Sequence, residues 1–226
     1  MKKTTTVNAA ITFLIASLIF FPSCSSNDTT KETTKDSTSM ATEMPMAENK
    51  SHDLKIAMNK LWVDHVTWTR NVILCLVDGL SGADQAVKRL MQNQVDIGNA
   101  IKPYYGDDAG NKLTELLKAH IAISADVVKS AKAGNKIALD SANKKWYANA
   151  DEISAFLSKA NPNWALAEMQ TMMNDHLKLT TDEAVQRIKK NYDADVVAYD
   201  KVHEEILKMS AMLADGIIKQ FPEKFK

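Results

Sequence analysis

Glycine and proline are so scarce that this chain has few places to turn: 7 Gly and 5 Pro in 226 residues. A β-sandwich or barrel needs a turn signal every 8–12 residues or so, and that supply disfavours one. No segment alternates as a strand. From Ser51 onward, apolar residues instead recur at spacings of three and four, the period of one helical face. Met58, Leu61, His65, Trp68, Val72 and Cys75 make one such stripe, on a helix expected at about 52–78. Further helices are expected at about 83–102, ended by Pro103 and Gly106, at about 108–132, ended by Gly134, and at about 136–159, broken by Asn161-Pro162. A shorter helix is expected at about 164–178. Thr180-Thr181-Asp182-Glu183 then reads as a capping box opening a long last helix at about 181–220. Short connections favour antiparallel neighbours. The expected fold is therefore all-α, an up-and-down helical bundle over 51–226.

The bundle repeats itself. Lys88-Arg89-Leu90 and Lys144-Lys145-Trp146 are each followed by Asn (Asn93, Asn149), an acid three residues on (Asp96, Glu152), and Ile (Ile97, Ile153), at an offset of 56. His65 and His120 are 55 apart, and His120 and His176 are 56 apart. The first two helical pairs read as an internal duplication of one helical hairpin, with the long C-terminal helix added after it.

The repeat places polar groups where the stripes call for apolar ones. His65 and His120 interrupt the first helix of each hairpin, Asn93 and Asn149 the second, and Asp195 the last helix. His176 joins them or caps a helix end. An unpaired buried polar group costs about 1–3 kcal/mol, so such a layer is either a satisfied network or a ligand site. Buried polar layers specify one packing, which is the structural reading. Helical bundles also hold metals with inward imidazoles and carboxylates. On that reading His65, His120, Asp96 and Glu152 are the ligands, with zinc, iron or manganese as the divalent metal. The Glu-x-x-His motif of ferritin-like sites is absent. A small organic ligand in the same layer is the third reading. The methionines at 169, 172, 173, 209 and 212 have helical spacing and read as core filling. Arg70 reads as a salt-bridge partner, and Pro103-Tyr104-Tyr105-Gly106 as packing over the bundle end. His203 and His52 need no role.

The chain carries no phosphate loop, dinucleotide glycine motif, nucleophile elbow or paired-cysteine zinc motif. Its net charge is zero, so nothing argues for nucleic acid as a partner.

The amino-terminal 50 residues read as an address. Lys2 and Lys3 precede a short apolar run from Ala9 to Phe21, then Pro22, Ser23 and Cys24, the pattern of a secretory signal. Phe21-Pro22-Ser23-Cys24 resembles a bacterial lipobox, with Phe21 where leucine is usual. The resemblance implies a signal peptide over 1–23 and lipidation of Cys24. Residues 24–50 are rich in Ser and Thr, contain no aromatic residue, and read as a disordered tether. The expected location is a bacterial cell envelope, anchored to a membrane by lipid (the outer membrane in a Gram-negative cell). The expected role is a ligand- or partner-binding bundle without catalysis. A metal protein or metal-dependent enzyme, and a purely structural adaptor, are the alternatives.

The folded part resembles an uncharacterised family of bacterial helical proteins. The resemblance is carried by His65-Val66-Thr67-Trp68-Thr69-Arg70, by Asn93 through Pro103-Tyr104-Tyr105-Gly106, by Lys145-Trp146-Tyr147-Ala148-Asn149-Ala150-Asp151-Glu152-Ile153, by His176-Leu177, and by Gln220-Phe221-Pro222. It spans nearly all of 58–224. It implies the helical fold and marks the His and Asn-acid positions. It transfers no reaction.

Overall fold

The computed structural model describes residues 46–226, so the expected signal peptide, Cys24 and the tether up to residue 45 lie outside the described residues. Six α-helices follow in order: α1 Met46–Asp78, α2 Ala83–Tyr105, α3 Asp107–Lys132, α4 Lys136–Ala160, α5 Leu166–Ile188 and α6 Tyr192–Gln220, with a 3-10 turn at Pro222–Phe225. No strand occurs among the described residues. The chain is an all-α, up-and-down bundle. Helix α1 begins inside the segment expected as tether, whose last five residues, 46–50, are helical. No helix among the described residues is long and apolar enough to cross a membrane.

The expected break near residue 180 is absent: α5 runs on to Ile188, and α6 starts at Tyr192. The capping-box residues are committed elsewhere. The Thr181 hydroxyl donates to the Leu177 carbonyl at 2.7 Å, within the helix. The Glu183 carboxylate accepts from Arg70 at 2.8 Å. The turn lies instead at Lys189–Asn191, where Lys190 has φ 59°. Gly79 and Gly134 hold the same left-handed conformation, at φ 70° and 65°. All three turns close the same way. Leu80 N–H donates to Cys75 O, Asn135 N–H to Ser130 O and Asn191 N–H to Gln186 O, at 3.1, 3.0 and 3.0 Å. This six-to-one bond ends a helix at a left-handed residue. Positions 79, 134 and 190 keep the 55- and 56-residue offsets of the three histidines. The molecule is therefore three copies of one hairpin, α1–α2, α3–α4 and α5–α6.

Lysine at 190 bears a Cβ where glycine carries none, and the left-handed region costs an L-residue about 1–2 kcal/mol. Part of that is offset by the greater freedom of glycine in the unfolded chain. Lys190→Gly is expected to raise the unfolding free energy by about 0.5–1 kcal/mol, read as a higher midpoint in urea at unchanged slope.

The hairpins close into a ring. Helices α1, α3 and α5 contact one another about a central axis, while α2 lies between α1 and α3, α4 between α3 and α5, and α6 between α5 and α1. The core repeats accordingly. Met58, Leu113 and Met169 are equivalent and buried, as are Val66, Ile121 and Leu177 on the inner helices and Ile97, Ile153 and Met209 on the outer ones. A small residue recurs at the seams between hairpins. Gly98 of α2 lies against α3, where its absent Cβ would sit 2.0 Å from Thr114 Oγ1 and 2.5 Å from the Gly110 carbonyl. The equivalent Ser210 of α6 donates to Asn59 of α1, the counterpart of Thr114. The α6–α1 seam thus repeats the α2–α3 seam and closes the ring.

Candidate functional site

The first helix of each hairpin brings one histidine to the axis. His65, His120 and His176 are 3%, 3% and 5% exposed. Ring centroids are 5.8 Å apart for His65 and His176, and 6.5 Å for His120 and His176. The second helix supplies a partner at 93, 149 and 205. Asn149 Oδ1 lies 2.8 Å from His120 Nδ1, and Trp146 Nε1–H donates to His120 Nε2 at 3.0 Å. The indole can only donate, so Nε2 accepts and Nδ1 carries the proton. Asn149 Nδ2 donates to the Leu116 carbonyl at 3.2 Å, and Asn93 Nδ2 does the same to Leu61 at 2.9 Å. Each asparagine thus bonds the carbonyl one turn before its histidine. In the first hairpin the neighbouring Gln94 Nε2 takes Asn93 Oδ1 at 3.1 Å, and His65 Nδ1 is left unpartnered. In the third, glutamate replaces asparagine, and His176 Nδ1 meets Glu205 Oε2 at 3.0 Å. Burial, reinforced by neighbouring imidazoles, pulls His65 and His120 down to about 3, so both are neutral.

The third hairpin departs from its copies at a second core position. Glu183, 1% exposed, stands where the others carry Val72 and Val127. Burial pushes its carboxyl up to about 7 against the pull of Arg70. Arg70 Nη1 donates to Glu183 at 2.8 Å and to Asp195 at 2.9 Å, and Nη2 reaches Asp195 at 3.2 Å. Its guanidinium lies 4.7 Å from the centre of the Tyr199 ring. Arg187 bridges Asp195, at 3.3 Å, and Asp78. Asp195 is therefore buried but sits in an ion-pair network rather than beside the histidines. A largely apolar cavity of about 80 Å³ lies between the inner helices. Ile73 and Val128 line it together with Ala184, their smaller counterpart in the third hairpin.

The carboxylates expected to join the histidines do not. Asp96 accepts from Gln92 at 2.9 Å and faces Arg89 at 3.8 Å, with its side chain 37% exposed. Glu152 is exposed. The reason is helical phase. Asn93 and Asn149 point inward and so do Ile97 and Ile153 at +4, which turns +3 toward solvent. The set His65, His120, Asp96 and Glu152 forms no coordination shell. Among the described residues no three His, Cys, Asp or Glu side chains are grouped to hold a metal ion. Met169, Met173 and Met209 are core residues. Tyr105 accepts from Asn161 at 2.8 Å and donates to Gln220 at 2.9 Å, packing over the bundle end.

The outer face of the third hairpin also differs. In the first hairpin Arg89 spans from α2 to α1. It meets Asp64 at 3.3 Å and lies 5.6 Å from the Trp68 ring centre. The corresponding residues of the third hairpin are Lys201, Asp175 and Leu179, and no ion pair joins Lys201 to Asp175. The seam stands open as a groove of about 1330 Å³ between α5 and α6, with Met172, Leu179, Val197 and Met212 in its lining. Glu205 lines it too, so one carboxylate links the groove to the core imidazole. The sequence casts Glu183 only as a capping-box residue and leaves Glu205 and the groove unmarked. Extending the 56-residue offset once more, from Asn149 to 205, finds Glu205 directly. No family model, curated protein or solved structure matches the chain.

Proposed function

We propose that this is a lipid-anchored cell-envelope protein that binds a helical protein partner on the outer face of its third hairpin, without catalysis. The open α5–α6 seam is the observation that carries the reading. The same seam in the first hairpin is spanned by Arg89, Asp64 and Trp68, whereas here apolar side chains and unpaired charges face outward. Val196 and Val197 are each 53% exposed, and Tyr192 and Leu166 accompany them on the same hairpin. Apolar side chains left exposed along an open groove fit an interaction site, and a groove between two helices suits a helical partner. The axial histidines support a structural part for the core: His120 has both ring nitrogens hydrogen-bonded within the bundle. The lipobox at Cys24 supplies the anchor, and acyl chains hold a protein at a membrane by about 0.8 kcal/mol per buried methylene.

Two measurements in cells test this. Cys24→Ala is expected to release the chain from the membrane fraction, and full retention would sink the lipid anchor. A photo-crosslinking residue at Val197 is expected to give a discrete adduct. The equivalent positions of the other hairpins, Ser141 and Gln85, are expected to give none. Loss of the Val197 adduct on Met212→Arg ties it to the groove. Equal yields at the three positions would remove the groove reading.

A further inference from the structure

We infer that the occupant of the α5–α6 groove is a basic amphipathic helix of a partner protein; the inference rests on the binding reading above and names the chemistry of that partner. Six carboxylates and three lysines line the groove, and acids outnumber lysines on both lips. Glu168, Asp175 and Asp182 stand on α5, and Asp193, Glu204 and Glu205 on α6. The repeat shows that this charge belongs to the open seam. At the offsets of 55 and 56, the same six positions hold one acid in each of the other hairpins, Asp64 in the first and Asp126 in the second. Asp64 is paired, with Lys60 and Arg89. In the third hairpin Glu168, Asp175, Asp182, Asp193 and Glu204 make no ion pair among the described residues. The sixth, Glu205, lies at the floor, its side chain 12% exposed. It turns Oε2 to His176 at 3.0 Å and leaves Oε1 buried without a hydrogen-bond partner. A carboxylate oxygen only accepts, so the group it lacks is a donor.

The groove asks two things of its occupant at once. Met172, Leu179, Val197 and Met212 receive an apolar stripe, and methionine adapts its shape to what it meets. The acids on either lip receive lysine or arginine flanking that stripe. Glu168, Asp175 and Asp182 recur every seven residues, about 10.5 Å apart at 1.5 Å per residue. Basic residues spaced by seven on a helix laid alongside fall opposite each of them in turn. The lining of α5 runs from Ala167 to Gln186, about 29 Å, which gives room for about five helical turns. An amphipathic helix laid by its apolar face into such a groove is anchored by residues one and two turns apart. Charge opposes the other occupants. A second copy would set acid on acid, and like charges face to face are costly. The chain's own segment over 25–45 carries four acids and two lysines. An anionic membrane surface draws basic segments to it and repels an acidic groove.

The test titrates the chain from Ser25 onward, which keeps every described residue, into two labelled peptides of about 18 residues, or five helical turns. One is a leucine–lysine amphipathic helix, and the other has glutamate for lysine. Fluorescence anisotropy reads the binding. The basic peptide is expected to bind about tenfold tighter than the acidic one or better. Asp175→Lys/Asp182→Lys is expected to weaken it about tenfold, and Lys201→Glu/Lys208→Glu to tighten it about threefold. The same charge change on the second hairpin, Asp126→Lys/Glu152→Lys, is expected to leave it unchanged. All six substitutions are at exposed positions, and circular dichroism confirms that each variant is folded. No preference for the basic peptide, or an equal loss from the second-hairpin variant, would overturn the inference. The Val197 crosslink in cells carries the test to the native partner. An adduct lost with Asp175→Lys/Asp182→Lys and kept with Lys201→Glu/Lys208→Glu supports a basic helix. The reverse pattern, indifference to both variants, or an adduct of twice the chain mass removes the basic helix and keeps the groove, and no adduct removes both.

Discussion

Lowering the pH from 6.5 to 4.5 is expected to cost the fold about 3 kcal/mol, and the loss is expected to steepen below that. His65 and His120 are held near 3 in the folded chain by burial, against about 6.5 when unfolded. Between those values the unfolded state binds protons that the folded state refuses. Stability therefore rises with pH across the window and is lost on acidification, at about 1.4 kcal/mol per pH unit for each ring. Glu183 works the other way. Burial raises it to about 7 in the fold, against about 4.3 unfolded. It takes up a proton on folding, and its contribution falls as pH rises through that range. One carboxyl cancels roughly one imidazole between pH 4.5 and 6.5, leaving a net slope of about 1.4 kcal/mol per unit. Below about 4.5 the compensation ends and both rings act unopposed. Urea unfolding at half-unit steps of pH measures the slope. Glu183→Gln removes the opposing group and should bring the steeper slope up to pH 6.5. Stability that is flat or rises toward pH 4.5 would contradict the neutral, buried state of the imidazoles.

Gly98→Ala is expected to destabilise the bundle by about 3 kcal/mol, at the upper end of the overpacking range. The added carbon would lie 2.0 Å from Thr114 Oγ1 and 2.5 Å from the Gly110 carbonyl oxygen. The hydroxyl belongs to a side chain and can be removed. The carbonyl belongs to the backbone of α3, and only a shift of the whole helix relieves it. Gly98→Ala/Thr114→Ala is therefore expected to recover only part of the loss. Ser154 and Ser210, both buried at the equivalent positions, show that the other seams accept a Cβ. Thermal unfolding of the single and double variants reads the difference, and full recovery in the double variant would place the strain on Thr114 alone.

Helix content and pairing were legible in this sequence because a period of 3.6 leaves its mark on every stripe from Met58 to Leu213. The histidine layer was legible for the same reason: a polar residue within an apolar stripe is visible without coordinates. Two features were not. The third hairpin was hidden by Thr180-Thr181-Asp182-Glu183, which has the residues of a helix start, while Lys190 stands where its counterparts are glycine. Local chemistry pointed to one turn, and tertiary contacts of Glu183 with Arg70 chose another. The direction of Asp96 and Glu152 was the second. Three residues along a helix is a turn of about 300°, and that can fall inside or outside the core. Only the inward Ile97 and Ile153 decide it.

Closure of the ring changes how this bundle comes apart. In an open array of repeats, end units have one neighbour, fray first and need special capping sequences, and stability accumulates unit by unit. Here the contact of α6 with α1 leaves no end unit. Every hairpin has two flanking partners, and its histidine touches a layer shared by all three. Detaching any one hairpin breaks two seams at once and opens the buried layer of axial imidazoles to water. Intermediates with one or two hairpins in place are thereby penalised twice, and the three copies are bound into a single cooperative unit despite their modular sequence.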